Sequence, residues 1–374
     1  MSFGWRLAGP LLAAAIVCAG SAAADEPWQA RYDKILAAAR QEGSVAVSGP
    51  PGDIVRQLIT SLWAKTFPDV ALNYTAARGT QILSKVVRER ESGVYNWDVV
   101  MASTDPTVFT LIPIKALAPL KDALVDPALS ADETWMLGFQ AGFMDDAGKY
   151  FYSTMGRVGS ILGYVNRDCV PSAMLGKVED LKKPELVGKI AWYDPMQPGT
   201  GSRSTWVLTT RMGEPWLEEL FRNHGITFAR DYRQLTDWLV DCTKPVAIGI
   251  TDDVLAPMRK QGLGVHVEEL TGPAYFHDLP PGWGGGNEDI GWYNNAPHPN
   301  AAKIFVGWYL SHDFQQRYAD AVGTNSRRAD TTPGDPDPGH ALKPGQTYEC
   351  WANEEAIRQL RALQQRIKSW GVLG

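Results

Sequence analysis

The 374-residue sequence predicts an α/β protein of two lobes, each a mostly parallel sheet flanked by helices. Strand, turn and helix recur three times in the first part of the chain, and the same alternation returns after residue 189. Such alternation implies parallel strands joined by right-handed crossovers. The length also suffices for two cores, since one domain typically takes roughly 100–200 residues.

An Ala-rich amphipathic helix is expected over residues 27–41, with Trp28, Tyr32, Ile35, Leu36 and Ala39 on one face and Glu42-Gly43 closing it. A strand over 44–47 ends in Ser48-Gly49-Pro50-Pro51-Gly52, and a helix over 54–67 stops at Pro68. The second strand, 70–74, ends at Ala77-Arg78-Gly79-Thr80, followed by a helix over 81–91. The third, 97–101, ends at Ala102-Ser103-Thr104-Asp105. Residues 150–154 and 160–165 read as two strands paired with each other. A strand over 189–192 then leads into the turn Asp194-Pro195-Met196-Gln197-Pro198-Gly199-Thr200-Gly201-Ser202 and a helix. A last strand over 244–250 ends at Thr251-Asp252-Asp253. The Pro-, Gly- and Asp-rich residues 331–344 are loose, and a final helix covers 353–370.

Composition is ordinary for a globular protein, 44% hydrophobic and 21% charged. The formal net charge of -6, with no basic block, argues against nucleic acid, which selects clustered Lys and Arg. The 14 Trp residues suit cores and ligand clefts alike. Residues 1–24 read as an export signal: Arg6, an apolar run from Leu11 to Ala19, then Ala22-Ala23-Ala24 as the cleavage site. That run is shorter than the ~20 apolar residues of a membrane-spanning helix. Cys18 lacks the small preceding residues that lipidation uses. Export permits a disulfide among Cys169, Cys242 and Cys350. Cys169 with Cys242 is the preferred pair, because each ends a segment read as structured, although sequence leaves connectivity open.

In open α/β sheets, ligands sit beyond the carboxyl ends of the strands. Here those ends are polar, small and Gly-rich, able to offer backbone N–H groups and helix N-termini to an anion. Turn chemistry alone explains any one of them; their recurrence after strand upon strand points to binding in a cleft. No Gly-x-Ser-x-Gly elbow, His-Glu-x-x-His, Walker loop or Gly-x-Gly-x-x-Gly occurs, and the six histidines lack metal-ligand spacing. An enzyme is therefore not expected, and neither a cofactor nor a resident metal.

The order of several motifs resembles ABC-transporter solute-binding proteins, in the branch that includes the periplasmic ferric-iron-binding proteins. They are Ser48-Gly49-Pro50, Phe67-Pro68-Asp69-Val70, Glu89-x-Glu91-Ser92-Gly93 before Trp97-Asp98-Val99-Val100, and Leu117-Ala118-Pro119-Leu120. Gly163-Tyr164-Val165-Asn166, Leu186-Val187-Gly188-Lys189-Ile190-Ala191-Trp192 and the run from Ala296-Pro297-His298-Pro299-Asn300 to Phe305 complete the set, which covers nearly the whole chain after the signal. The resemblance implies a two-lobed type II periplasmic-binding-protein fold with a ligand cleft between the lobes. It places residues 25–118 and 262–324 in the first lobe and 119–261 and 325–374 in the second. It also implies a monomeric periplasmic receptor whose partners are a small-molecule ligand and the permease subunits of an ABC transporter in the inner membrane. A ferric-iron or other metal-binding receptor of the same fold is the first alternative, and a periplasmic enzyme or a sensor subunit on the same scaffold are the others.

Candidate ligand contacts follow from the strand ends. Ser48 and Gly49 come from the first, Arg78 and Gly79 from the second, and Ser103 and Thr104 from the third. Arg78 is the candidate fork for a carboxylate or phosphate. Gly199, Thr200, Gly201 and Ser202 open a helix toward the cleft, and Thr251 and Asp252 complete the set. Tyr152 and Trp283 are read as packing. One departure bears on the ligand: iron-binding members carry a tandem tyrosine pair where this chain has Thr251-Asp252-Asp253-Val254-Leu255. Without phenolates the expected ligand is an organic or anionic molecule rather than ferric iron, although Asp252 would suit a cationic group or a hard metal.

Overall fold

The structure is a computed structural model that describes residues 1, 26–77, 79–158, 162–197, 199–271, 275, 282–284 and 288–373. The export signal expected over residues 1–24 lies outside them apart from Met1, and so do Arg78 and Pro198.

Two five-stranded sheets carry the fold. The first has the order β2-β1-β3-β12-β4, built from β1 (Ser44–Gly49), β2 (Ala71–Ala76), β3 (Val99–Ala102), β4 (Leu117–Ala118) and β12 (Asp289–Tyr293). The second has the order β10-β6-β9-β7-β8, from β6 (Gly163–Asn166), β7 (Ile190–Tyr193), β8 (Thr227–Ala229), β9 (Val246–Ile248) and β10 (Val267–Glu269). Each contains three parallel strands, β2-β1-β3 and β8-β7-β9, next to one antiparallel strand, β12 or β6. The expected parallel α/β character is therefore present in both halves.

Side-chain alternation explains how each sheet is covered on both faces. In β3, Val99 and Met101 enter one core with Val45, Val47, Ile290 and Trp292. Val100 and Ala102 face the other way, toward Ile82, Leu83, Val108 and Leu111. The helices α1 (Trp28–Glu42), α2 (Asp53–Thr66), α9 (Pro299–Tyr309) and α10 (His312–Val322) cover the first of these faces. On the other lie α3 (Gly79–Glu91) and α4 (Thr104–Leu111). The second sheet repeats the scheme: Ile190, Trp192, Val246 and Ile248 on one face, Ala191 and Ala247 on the other. Its helices are α5 (Thr200–Met212), α6 (Glu214–Asn223), α7 (Tyr232–Val240) and α8 (Asp252–Arg259), joined by the C-terminal α11 (Glu354–Ser369).

A third, three-stranded sheet has the order β13-β11-β5, from β5 (Arg157–Val158), β11 (Gly282–Gly284) and β13 (Glu349–Cys350). Each strand lies where the chain passes from one large sheet to the other. β5 precedes β6, β11 separates β10 from β12, and β13 leads into α11, whose Leu363, Ile367 and Trp370 pack in the second core. The strands β6 and β12 that follow the first two crossings are the antiparallel members of their sheets.

Two expectations are corrected. Residues 150–154 do not pair with β6 among the described residues: Tyr152 bridges to Phe143 and Ile290, while β6 pairs with β9 and β10. The expected crossing at 118/119 also comes too early for the packing. Leu120, Ala123, Leu129, Trp135, Phe139, Phe143 and Tyr152 share a core with β1, β3 and β12. Likewise β10, within the expected first-lobe segment 262–324, pairs into the second sheet. Asn325 and Arg327, expected in the second lobe, bond to Gly156 and Thr154. Hydrophobicity alone did not reveal this, because residues 119–149 form short 3₁₀ turns with no strand or helix period.

Cys169 and Cys242 form a disulfide, with Cα atoms 6.3 Å apart, which ties the end of β6 to the end of α7. Replacing both cysteines by Ala frees a loop spanned by a sequence separation of 73 residues. Chain entropy sets the expected cost at about 4 kcal/mol, read as a lower urea midpoint for the double variant followed by Trp fluorescence.

Candidate functional site

The carboxyl ends of β1, β2 and β3 converge on the dipeptide Glu288-Asp289. Antiparallel pairing sets Asp289 opposite Ala102, so the head of β12 lies at the edge where the three parallel strands end. Asp289 is fully buried. Thr104, the first residue of α4, donates its hydroxyl to Asp289 Oδ2 at 2.7 Å. Burial pushes the Asp289 carboxyl up to about 7; the Ser153 and Thr104 hydroxyls pull it back, Glu288 adds to the rise and Arg203 opposes it. Ser103 is the N-cap of α4, without a side-chain cap bond. Ser48 is fully buried at the end of β1, beside the Tyr293 phenol, which burial drives well up. Gly49 lies directly under the Tyr74 ring, where any side chain would collide with the phenol. Tyr74 donates to Pro50 O at 3.0 Å, and burial, then Glu288, raise its pKa.

In the second half, the turn after β7 delivers α5. Gly199 caps it with φ 127°, a value that glycine adopts readily. The Thr200 hydroxyl donates to Gly249 O, just past β9, and shares a 3.0 Å hydrogen bond with Tyr232 Oη. Ser202 donates to Gly199 O at 2.9 Å. Gly249, at φ 77°, sits so close to the Gly201 backbone that it has no room for a Cβ, and a Cβ at Gly201 would strike Tyr193 O. This contact seats the first turn of α5 on the strand ends. The hydroxyls of Thr200 and Ser202 thus lock the turn that precedes Arg203. Thr251 caps α8 and Asp252 begins it, the Asp252 side chain lying outside the described residues. Gly79 begins α3.

Arg203 was not singled out in the sequence, where the candidate contacts stop at the preceding Gly199-Thr200-Gly201-Ser202. It is partly buried, burial lowers its pKa, and the charges it senses are Cys350, Asp289 and Tyr232. Arg203 on α5, Asp289 on β12 and Cys350 on β13 thus lie within electrostatic range of one another. Cys350 is a free cysteine whose thiol burial pushes up to about 11. The sequence signal for Asp289 was an acidic residue opening the buried run Ile290 to Tyr293; for Arg203 there was none. Tyr152 and Trp283 are buried packing residues at 0% and 3% exposure. No group of three His, Cys, Asp or Glu able to hold a metal occurs among the described residues.

A hydrogen-bonded Ser–His–Asp series lies at the opposite edge of the first sheet. Ser44 Oγ is 3.3 Å from His298 Nε2, and His298 Nδ1 is 2.8 Å from Asp98 Oδ2. Asp98 also accepts from Ala46 N and His298 N, both at 2.7 Å.

No family model and no curated protein matches the sequence. Solved structures match over most of the chain. Iron-bound HitA from Pseudomonas aeruginosa aligns with a TM-score of 0.57 at 15% identity, covering 86% of this chain and 99% of that one. An ABC transporter structure from Clostridium perfringens gives 0.64 at 15%, with 87% and 98% covered. The periplasmic binding protein AfuA from Actinobacillus pleuropneumoniae, with fructose-6-phosphate bound, gives 0.51 at 16%, with 87% and 98% covered. At these identities the likeness is one of fold: the chain has the two-lobed architecture of periplasmic binding proteins.

Asp289 links stability to pH. Its folded pKa of about 7 lies above the unfolded value near 3.8, so its contribution is complete below the unfolded value and is lost as pH rises through about 7. Asp289→Asn cannot ionise. It is expected to melt several degrees above wild type at pH 8, with the gap closing toward pH 4, in paired calorimetric scans.

Proposed function

We propose that this chain is the substrate-binding receptor of an ABC importer, capturing a small organic or anionic ligand between its two halves for delivery to a membrane permease. The observation that carries the reading is the crossing sheet. β5, β11 and β13, three passages of the chain between the large sheets, are hydrogen-bonded to one another, giving the two cores a common pivot. Hinge closure about such a pivot buries a ligand held at the strand ends. The first half comprises residues 26 to about 156 and 288 to about 344, and the second about 162–271 and 351–373, following the core packing. Export to the periplasm, with cleavage near Ala24, accompanies this role, and the receptor acts as a monomer.

The cargo follows from the site's chemistry. The residues after β9 are Thr251-Asp252-Asp253, with no phenolate pair for ferric iron. HitA was solved with iron and AfuA with fructose-6-phosphate, so the fold itself accommodates both classes. Arg203, at the first turn of a helix whose free N–H groups also favour negative charge, supports an anion here.

Thermal melting of the mature protein against phosphonates, sugar phosphates, carboxylates, polyamines, thiamine, and ferric and divalent ions tests the role. A ligand at about a hundred times its dissociation constant adds roughly 2.7 kcal/mol, a shift of several degrees. The same ligand is expected to lower the radius of gyration in small-angle scattering as the halves close. A stabilising ligand that is turned over into product instead would make the protein an enzyme.

A further inference from the structure

Asp289 and Arg203 are contributed by different halves, and each has bonding capacity that the protein leaves unused. Asp289 Oδ2 is satisfied by Thr104 at 2.7 Å. The Ser153 hydroxyl lies beside the carboxylate, yet neither it nor Asp289 Oδ1 completes a hydrogen bond of normal geometry among the described residues. A fully buried carboxylate oxygen without a donor is uncommon in folded proteins and calls for a partner. On the facing side, the Arg203 guanidinium donates no hydrogen bond and joins no salt bridge among the described residues, although it senses Asp289. The two groups influence each other without docking together, which leaves a forked donor and an acceptor open at once.

We propose that Asp289 and Arg203 read the ligand jointly, Arg203 taking a carboxylate or phosphate and Asp289 a hydroxyl or ammonium on the same molecule. This rests on the receptor reading and narrows its cargo to hydroxy acids, amino acids and sugar or polyol phosphates. The guanidinium fork matches the planar or tetrahedral oxyanion in two parallel bonds. The unfilled Oδ1 selects for a donor near that anion, because a ligand lacking it leaves the buried oxygen bare. Plain dicarboxylates, polyamines and bare metal ions each satisfy at most one of the two groups.

A pH signature follows. The groups facing Asp289 are Glu288 beside it, Arg203 from α5, Cys350 from β13 and Tyr309 from α9. Burial keeps the Cys350 thiol and the Tyr309 phenol protonated near neutrality. A donor from the ligand favours ionised Asp289, so binding tightens as pH rises through the carboxyl's own value of about 7.

Calorimetric titration of the full mature chain tests the pair. Serine, malate and glucose 6-phosphate carry both groups; succinate and inorganic phosphate carry the anion alone; spermidine and ferric nitrilotriacetate represent the other classes. A two-group probe is expected to bind, about tenfold more tightly at pH 8 than at pH 6. Arg203→Gln is expected to weaken it at least about a hundredfold, with Arg203→Lys intermediate because charge survives without the fork. Asp289→Asn should weaken the same probe and flatten its pH profile, circular dichroism confirming that each variant is folded. Equal binding of succinate or phosphate with their two-group counterparts overturns the pair. So does tight binding of spermidine or iron that ignores both substitutions, which leaves the receptor reading intact. No heat and no melting shift from any probe overturns both.

Discussion

The passage between the two halves depends on the buried guanidinium of Arg327. Its side chain is fully excluded from water and, among the described residues, pairs with no carboxylate. Instead it donates to Met136 O at 2.9 Å, Gly138 O at 2.7 Å and Ser153 O at 3.1 Å. The faces of Trp283, Tyr152 and Trp135 surround it at 4.9, 5.6 and 5.8 Å. Carbonyl dipoles and aromatic faces thus replace the counter-ion that a buried charge requires. The consequence is topological. One side chain pins the turn at 136–138, the segment 152–154 before the first crossing, and Trp283 on the second crossing strand to the return segment at 327. Because these groups are held to one cation, the first two crossings are held at a fixed place relative to the return segment.

That arrangement decides how much of the molecule is legible in its sequence. The three parallel strands of each sheet were readable, since each is a short apolar run ended by Gly, Pro or small polar residues. The ends of β1, β2 and β3 fall within a few residues of the expected places. The same reading of element ends preferred Cys169 with Cys242, the pair that is bonded, while leaving connectivity open. The lobe boundary was not readable, because residues 119–155 contribute to the first core through isolated side chains: Leu129, Trp135 and Phe139 project from irregular turns. No period betrays such a segment, and its allegiance is set by contacts far away in sequence. Arg327 is equally silent, one arginine of a polar stretch until the carbonyls gather around it.

The site shows the same division. Glycine turns announced where α5 begins: Gly249 has no room for a side chain against Gly201, and Gly201 has none against Tyr193. Thr200 and Ser202, expected to open a helix whose backbone N–H groups face a ligand, commit their hydroxyls to Gly249 O and Gly199 O. Ser48 likewise turns into the protein beside Tyr293. A hydroxyl at a strand end serves turn and ligand equally well on paper, and the backbone, being closer, has first claim on it. A guanidinium on a long side chain escapes that competition. Arg203 follows the cap on the first turn of α5, and Asp289 is delivered by a strand that enters from the other direction after a crossing. Groups with chemical capacity to spare therefore come from places where no motif marks them.

The Ser44, His298 and Asp98 series shows why such capacity must be counted atom by atom. Its distances resemble a nucleophile, a base and its orienting carboxylate. Asp98, however, is fully buried and accepts three bonds, from Ala46 N, His298 N and His298 Nδ1, which join β1, the residue ahead of β3 and the N-terminus of α9. With the Nδ1 proton directed at that carboxylate, Nε2 accepts from Ser44 on the neighbouring strand. Glu42 adds a second clamp, accepting from Asn300 N and Ala301 N at the same helix start. Every polar atom in the series thus closes a contact between α9 and the amino ends of the parallel strands, the edge remote from where ligands gather in this architecture. The acid–base geometry here is a fastening, whereas at Asp289 and Arg203 the geometry is incomplete. On the proposed reading, the open Asp289 Oδ1 opposite a guanidinium, rather than resemblance to a catalytic series, is where a ligand would be met.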